Sequence, residues 1–133
     1  ALDRVEAEGL DAVVARHALA AEATRAGLRA LGTALWVDGA NASNLVTAVR
    51  LPENLDAEET AGKPASVEAG LSAGVGETAQ RLVRLNHTGP RANPDAVLAG
   101  VLAFGHALLE EGVKVDLRAA EAAVAARYAS RQP

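Results

Sequence analysis

Cysteine and methionine are both absent from this chain, and its aromatics come down to one Trp, one Tyr and one Phe in 133 residues. Without cysteine there is no disulfide framework and no thiolate ligand, a usage that suits the reducing cytoplasm. So few aromatics, with a formal net charge of -4, supply neither a stacking platform nor a basic stripe, so nucleic acid is not an expected partner. No apolar run approaches the ~20 residues of a membrane span, and no basic segment followed by an apolar one opens the sequence. No membrane is expected as a partner either. The chain also lacks an initiator Met and starts directly in a helical pattern, Ala1 to Glu8, ending at Gly9. A segment from within a longer protein would look like this, as would a chain whose Met or tag had been removed.

Several site chemistries are unsupported as well. His17 and His106 fall in separate helical stretches, and neither they nor His87 sit in an H-E-x-x-H or comparable spacing, so no metal site is expected. Ser43, Ser66, Ser72 and Ser130 lack the G-x-S-x-G elbow of a hydrolase. Gly74-Val75-Gly76 lacks the third glycine and the lysine of a phosphate loop, so a strand entering a tight bend explains the pair better.

What is present is aliphatic: half the residues are hydrophobic, mostly Ala, Val and Leu. A chain of this length suits one domain with one core. Small side chains each bury little area, at roughly 25 cal/mol per Å2, so modest stability is expected unless a partner surface helps. Asp11 reads as the N-cap of a helix over Ala12–Leu31, closed by Gly32, with a buried stripe of Val13, Val14, His17, Ala20, Ala21, Thr24, Leu28 and Leu31. Arg16, Glu22, Arg25 and Arg29 fall outside that stripe and read as a solvated face. Ala34–Val37 is strand-like, Asp38–Asn44 a loop, and Leu45–Leu51 a strand with one face buried and the other mostly so.

Asp56 caps a short helix that Gly62 and Pro64 interrupt, and Leu71–Gly76 is a Gly-rich strand or loop. Arg81–His87 is a strand with Val83 and Leu85 on one face and Leu82, Arg84 and Asn86 on the other. Asn93 caps a helix that has Pro94 at its first position and runs to Gly112. A final Ala-rich helix spans about Leu117–Tyr128, and Ser130–Pro133 is expected to fray. The order predicts an α/β (α+β) sandwich: a small, mostly antiparallel sheet with helices packed on one face.

The segment Val83-Arg84-Leu85-Asn86-His87-Thr88-Gly89, after the Gly-rich lead-in from Gly74, resembles the small-domain signature of class V (fold-type I) aminotransferases, in which a strand reads apolar-Arg-apolar-Gly/Asn-His-x-Gly. The opening helix around Leu10–His17, the strand Val46–Pro52 and the helix Asn93–Gly112 follow in the family's order, so the resemblance covers nearly all of a C-terminal small domain, residues 1–133. The alanine/serine-glyoxylate and pyridoxamine-pyruvate enzymes are the branches it resembles; the extended tail Gly112–Glu121 is similar to the latter. One stretch departs: Gly62-Lys63-Pro64 breaks what is usually a longer helix over Glu58–Gly70.

The resemblance implies a parent transaminase that moves an amino group between a small amino acid or amine and glyoxylate or pyruvate. It implies pyridoxal 5'-phosphate in that parent, held by a lysine, a ring-facing aspartate and phosphate-binding groups, all on the large domain. None of these has a match here, so the chain alone is expected to be inactive, with no catalytic residue and no bound cofactor. Its implied partners are the parent's large domain and, in the full enzyme, further copies in a homo-oligomer. Arg84 matches the arginine that binds the substrate carboxylate, a task suited to a planar guanidinium with two parallel donors. Without the resemblance, a strand-face ion pair or solvated charge is the ordinary reading of Arg84. His87 reads either as site-supporting, orienting the strand end, or as a half-buried histidine bonded to backbone. The rival for the whole chain is a free-standing regulatory or dimerisation α/β module, equally Ala-rich, acidic and without catalytic motifs.

Overall fold

The computed structural model describes residues 1–131. Helix α1 (Leu2–Glu8) leads through Gly9 into the long helix α2 (Leu10–Leu31). Gly9 at φ 90° turns the chain within a single residue, so α2 starts two residues earlier than an Asp11 cap requires; Asp11 lies in its first turn instead. Gly32, in the left-handed region at φ 93°, ends the helix as expected. The buried face of α2 includes Ala23 and Gly27 as well as most of the expected stripe, but Val14 is 56% exposed.

The sheet consists of β1 (Val46–Arg50), β2 (Leu71–Ala73) and β3 (Leu82–Asn86), antiparallel throughout in the order β1-β3-β2. Residues 34–37 do not form the expected strand. Leu35 makes one isolated bridge to Val49, flanked by Trp36 N–H to Ala48 O and Arg50 N–H to Ala34 O. A ladder cannot extend, because Asp38 caps the turn Gly39–Asn41 and leads the chain away. Helices α3 (Ala57–Gly62) and α4 (Pro64–Glu68) connect β1 to β2, split at Lys63 where Pro64 cannot continue α3. The Gly74 bend is close-packed: a Cβ there would lie 2.5 Å from the Thr78 carbonyl oxygen.

After β3, Asn93 caps helix α5 (Pro94–Glu110) by accepting from Ala96 N–H, and Asp116 caps α6 (Leu117–Ala129) in the same way through Ala119 N–H. At the end expected to fray, Ser130 N–H reaches Ala126 O, and Arg131 pairs with Glu22 at 3.3 Å. Gln132 and Pro133, the rest of that expected frayed end, lie outside the described residues. Helices α2, α5 and α6 pack on one another, and α2 and α5, with α3 and α4, pack on the sheet from one side. Glycines let α2, α5 and α6 approach: a Cβ at Gly27 would meet Val124 Cγ2 at 2.8 Å and Val101 Cγ1 at 3.0 Å, and one at Gly105 would meet Leu117 Cδ2 at 2.5 Å and Leu31 Cδ2 at 3.0 Å. Phe104, Leu28, Leu108, Val49, Val83 and Val101 form the fully buried centre. Only one face of the sheet is covered in this way, and the other is where Arg84 projects.

Candidate functional site

Alternation along β3 settles which side chains reach the uncovered face. Val83 and Leu85 point into the core, fully and almost fully buried, so Arg84 between them points outward. The register places Ala48 of β1 on one side of it and Ser72 of β2 on the other. Two small neighbours leave space for a guanidinium at the centre of the sheet. Arg84 Nε donates to Ala73 O at 3.0 Å, which fixes one edge of the group. Its two Nη nitrogens have no hydrogen-bond partner and no acidic partner among the described residues. The result is a half-buried, anchored cation with an open end.

His87 does not join it. Continuing the alternation, its ring lies on the core side, 1% exposed, with Nε2 2.9 Å from Thr47 Oγ1. His87 N–H donates to Leu45 O, extending the pairing of β1 and β3 by one step. Burial lowers the imidazole pKa to about 4, because a charge there would be desolvated; the positive charge of Arg25 pushes the same way, and the Asn44 backbone opposes it. The ring is therefore neutral at pH 7 and crosslinks β1 to the end of β3 behind the sheet. Any support for Arg84 passes through strand position and not through contact.

Beyond the strand, two residues of α2 grip the next turn. Gly89 N–H donates to His17 Nε2 at 2.9 Å, and His17 Nδ1 lies 2.7 Å from Val13 O, so the ring must carry its proton on Nδ1. Arg16 donates to Gly89 O at 2.7 Å and Ala92 O at 3.3 Å, and pairs with Glu8 at 2.7 Å. That hydrogen bond holds the Glu8 carboxyl below the usual carboxylate range. The α2 arginines are thus more than a solvated face: Arg29 pairs with Asp38, whose carboxyl it likewise holds low, and Arg25 joins Arg84 in lining one hollow. Helical periodicity could not find these partners, since all of them lie in loops or on other elements.

Arg84's hollow has a volume of about 200 Å3 and reaches across Val46 and Ala48 to the loop at Asn41–Ser43. A larger one, about 420 Å3, lies toward the other end of the sheet, where Arg50 stacks 4.4 Å above the Trp36 ring. Among the described residues no cluster of three His, Asp or Glu could hold a metal ion.

No family model matches the chain. Among curated proteins it is 41% identical over 129 residues to a pyridoxamine–pyruvate transaminase from Mesorhizobium japonicum, matching 94% of this chain and 33% of that protein. It is 30% identical over 128 residues to an L-aspartate–glyoxylate aminotransferase from Paracoccus denitrificans, matching 95% of this chain and 32% of that protein. Among solved structures, pyridoxamine-pyruvate aminotransferase from Mesorhizobium loti superposes with a TM-score of 0.88 at 35% identity, over 98% of this chain and 34% of that one. The chain corresponds to one part of a class V aminotransferase. It spans about a third of the length of the relatives it matches.

The lysines of this chain do not fit the pyridoxal phosphate that the resemblance to those enzymes implies. Lys63 is held between Glu110 at 2.9 Å and Glu111 at 3.2 Å, and its pKa is raised, first by the hydrogen bond to Glu110. It stays a charged brace between the α3–α4 junction and the end of α5. Lys114 lines a different hollow from Arg84's, beside Thr33 and Pro52, with no acidic group in the lining to face a ring nitrogen.

Proposed function

We propose that this small domain, residues 1–133, works as part of a longer pyridoxal-phosphate-dependent transaminase that moves an amino group between a small amino acid or amine and glyoxylate or pyruvate. Arg84 binds the carboxylate of the acid substrate. One observation carries the reading: a guanidinium anchored through Nε, flanked by Ala48 and Ser72, presents two unpartnered Nη groups on the uncovered face of the sheet. Such a group grips a carboxylate through charge-assisted hydrogen bonds without first having to break an ion pair. His87 is a positioning residue in this scheme, holding β1 against β3 through Thr47. A second domain carries the cofactor, the complete enzyme is a homo-oligomer of the cytoplasm, and the small domain alone neither binds pyridoxal phosphate nor transaminates.

A free-standing regulatory or dimerisation module has no observation in its favour that the transaminase reading lacks. The test uses the longer polypeptide that contains this domain. Arg84→Ala should raise the KM for the keto acid by about 30- to 1000-fold, the loss of about 2–4 kcal/mol, while the cofactor's absorbance is unchanged. Arg84→Lys should recover only part of that loss, since an ammonium cannot make the two-pronged contact. A KM within twofold of the parent's in Arg84→Ala would remove the assignment.

A further inference from the structure

The apolar stripe of α2 runs on past the core that it serves. From His17 to Leu31 it is buried, and the same three- and four-residue steps continue toward the N-terminus as Val13, Val14 and Leu10. The domain does not cover that continuation: no residue from Leu2 to Arg16 is buried, and Leu10 is 66% and Val14 56% exposed. Helix α1 adds Leu2, 75% exposed, and Val5. At seven residues α1 is also too short to gain stability from its own hydrogen bonds. The elbow between the two helices is nonetheless held at a definite angle. Glu8, at the end of α1, accepts from Arg16 at 2.7 and 2.9 Å, and Arg16 donates further to Gly89 O and Ala92 O. Between α1 and the Gly89–Asn93 turn lies a groove of about 390 Å3, walled by Val5, Val13, Pro90 and Ala92. In its lining Glu8 and Arg16 satisfy each other, and Arg4 is the one charged side chain without a partner among the described residues. What remains to be filled is apolar.

We propose that this elbow, made of α1 and the first turns of α2, is the seat of the second domain of the longer polypeptide, whose aliphatic or aromatic side chains fill the groove. The inference rests on the reading of this chain as one domain of a longer transaminase and adds the surface that joins the two. The chain spans about a third of the length of the relatives it matches, which leaves the greater part of such a polypeptide to supply the occupant. The seat also bears on Arg84. Gly89, in the turn that follows β3, is bonded through its N–H to His17 and through its C=O to Arg16. A body resting on the elbow is thereby fixed relative to the end of the strand that presents the guanidinium.

The chain contains no cysteine, so Leu10→Cys and Val14→Cys each place a single thiol of this domain on the seat. Alkylation by iodoacetamide is followed by mass spectrometry of the peptide that carries the thiol, in this chain, in the longer polypeptide, and in both after unfolding in urea. Both positions are exposed here, so this chain should react at close to its unfolded rate. In the longer polypeptide the reaction should be slower by about tenfold or more, because an apolar seat excludes the reagent and raises the thiol pKa. Equal rates in the two would overturn the proposal. Protection that appears in this chain as its concentration rises, or that is lost when the longer polypeptide is diluted to single subunits, assigns the groove to a second copy and overturns it as well. The readings fail separately. A longer polypeptide that transaminates with an open elbow loses only the seat, and a protected elbow with an unchanged KM in Arg84→Ala loses only the Arg84 assignment. If the longer polypeptide neither protects the elbow nor transaminates, both are lost.

Discussion

Lowering the pH should unfold this domain sooner than its exposed carboxylates require, and His87 is the reason. Its ring is 1% exposed, hydrogen-bonded to Thr47 and neutral in the fold, where its pKa is about 4 against 6.5 for an unburied histidine. The unfolded chain takes up a proton at this position below pH 6.5 and the folded chain does not, so folded stability falls as pH drops through the interval from 6.5 to about 4. One proton gives a slope of about 1.4 kcal/mol per pH unit, and across the interval the loss comes to about 3 kcal/mol. Domains of this size hold only about 5–15 kcal/mol in total. Below pH 4 both states carry the proton and the His87 contribution stops changing. Glu8 and Asp38, whose carboxyls are held low by Arg16 and Arg29, lose their contributions further into acid. Urea unfolding of the parent and of His87→Gln at pH 7, 6, 5 and 4.5 separates these effects, because the carboxylates are common to both proteins. The parent's stability should decline by about 2–3 kcal/mol more than the variant's between pH 7 and 4.5, at similar m-values. Parallel pH profiles would refute a buried, neutral His87.

The remaining expectations concern stability. Phe104→Ala should cost about 3–5 kcal/mol in thermal or urea unfolding, because the single Phe is fully buried at the junction of α5 with the sheet and α2 and small neighbours cannot fill its space. Asn93→Ala should cost about 0.5–2 kcal/mol by leaving the Ala96 N–H without its cap, whereas Asn93→Asp should stay close to the parent. Lys63→Ala should change stability by less than about 1 kcal/mol despite two short ion pairs, because Glu110 in particular is well exposed to water.

How much of this was legible in the sequence depended on how local each feature is. Asn93 with Pro94, Asp56 three residues before Glu59, and Gly32 after Leu31 act within one helical turn, and all three bound helices as read. The alternation Val83, Arg84, Leu85 is equally local, and it gave the correct face for Arg84. Asp11 misled because a cap residue was read without regard to Gly9, whose positive φ starts the helix earlier. Ala34–Val37 misled because strand propensity cannot say whether the partner runs alongside for one residue or for five. His87 was the hardest. Its motif drew attention to the ring, but the Thr47 partner stands 40 residues earlier, and only the register of β1 against β3 brings the two together. Arg25 looked like any other solvated helix charge, and nothing within α2 distinguishes it from Arg29, which has Asp38 nine residues on.

The sheet itself links the modest core to the candidate site. β1 was read as buried on one face and mostly buried on the other, and a strand apolar on both sides belongs in a sheet covered on both. In the domain the helical side is the well-covered one: Val49 and Val83 are fully buried there, while on the other face Val46 is 36% exposed and Trp36, beside it, 42%, and only Leu82 at its end is buried. Exposed side chains of this kind, Val37 among them, contribute nothing to the stability of a core already built from small aliphatics. Val37 and Val46 line the hollow of Arg84, whereas Trp36 stacks on Arg50 toward the other end of the sheet. Apolar groups at the rim exclude water once a second body closes over them, and a charge pair formed in their midst is then less screened than it would be on an open surface. On the reading proposed for Arg84, a sheet face with apolar side chains beside its central cation is one that a second domain would close over to bind an acid.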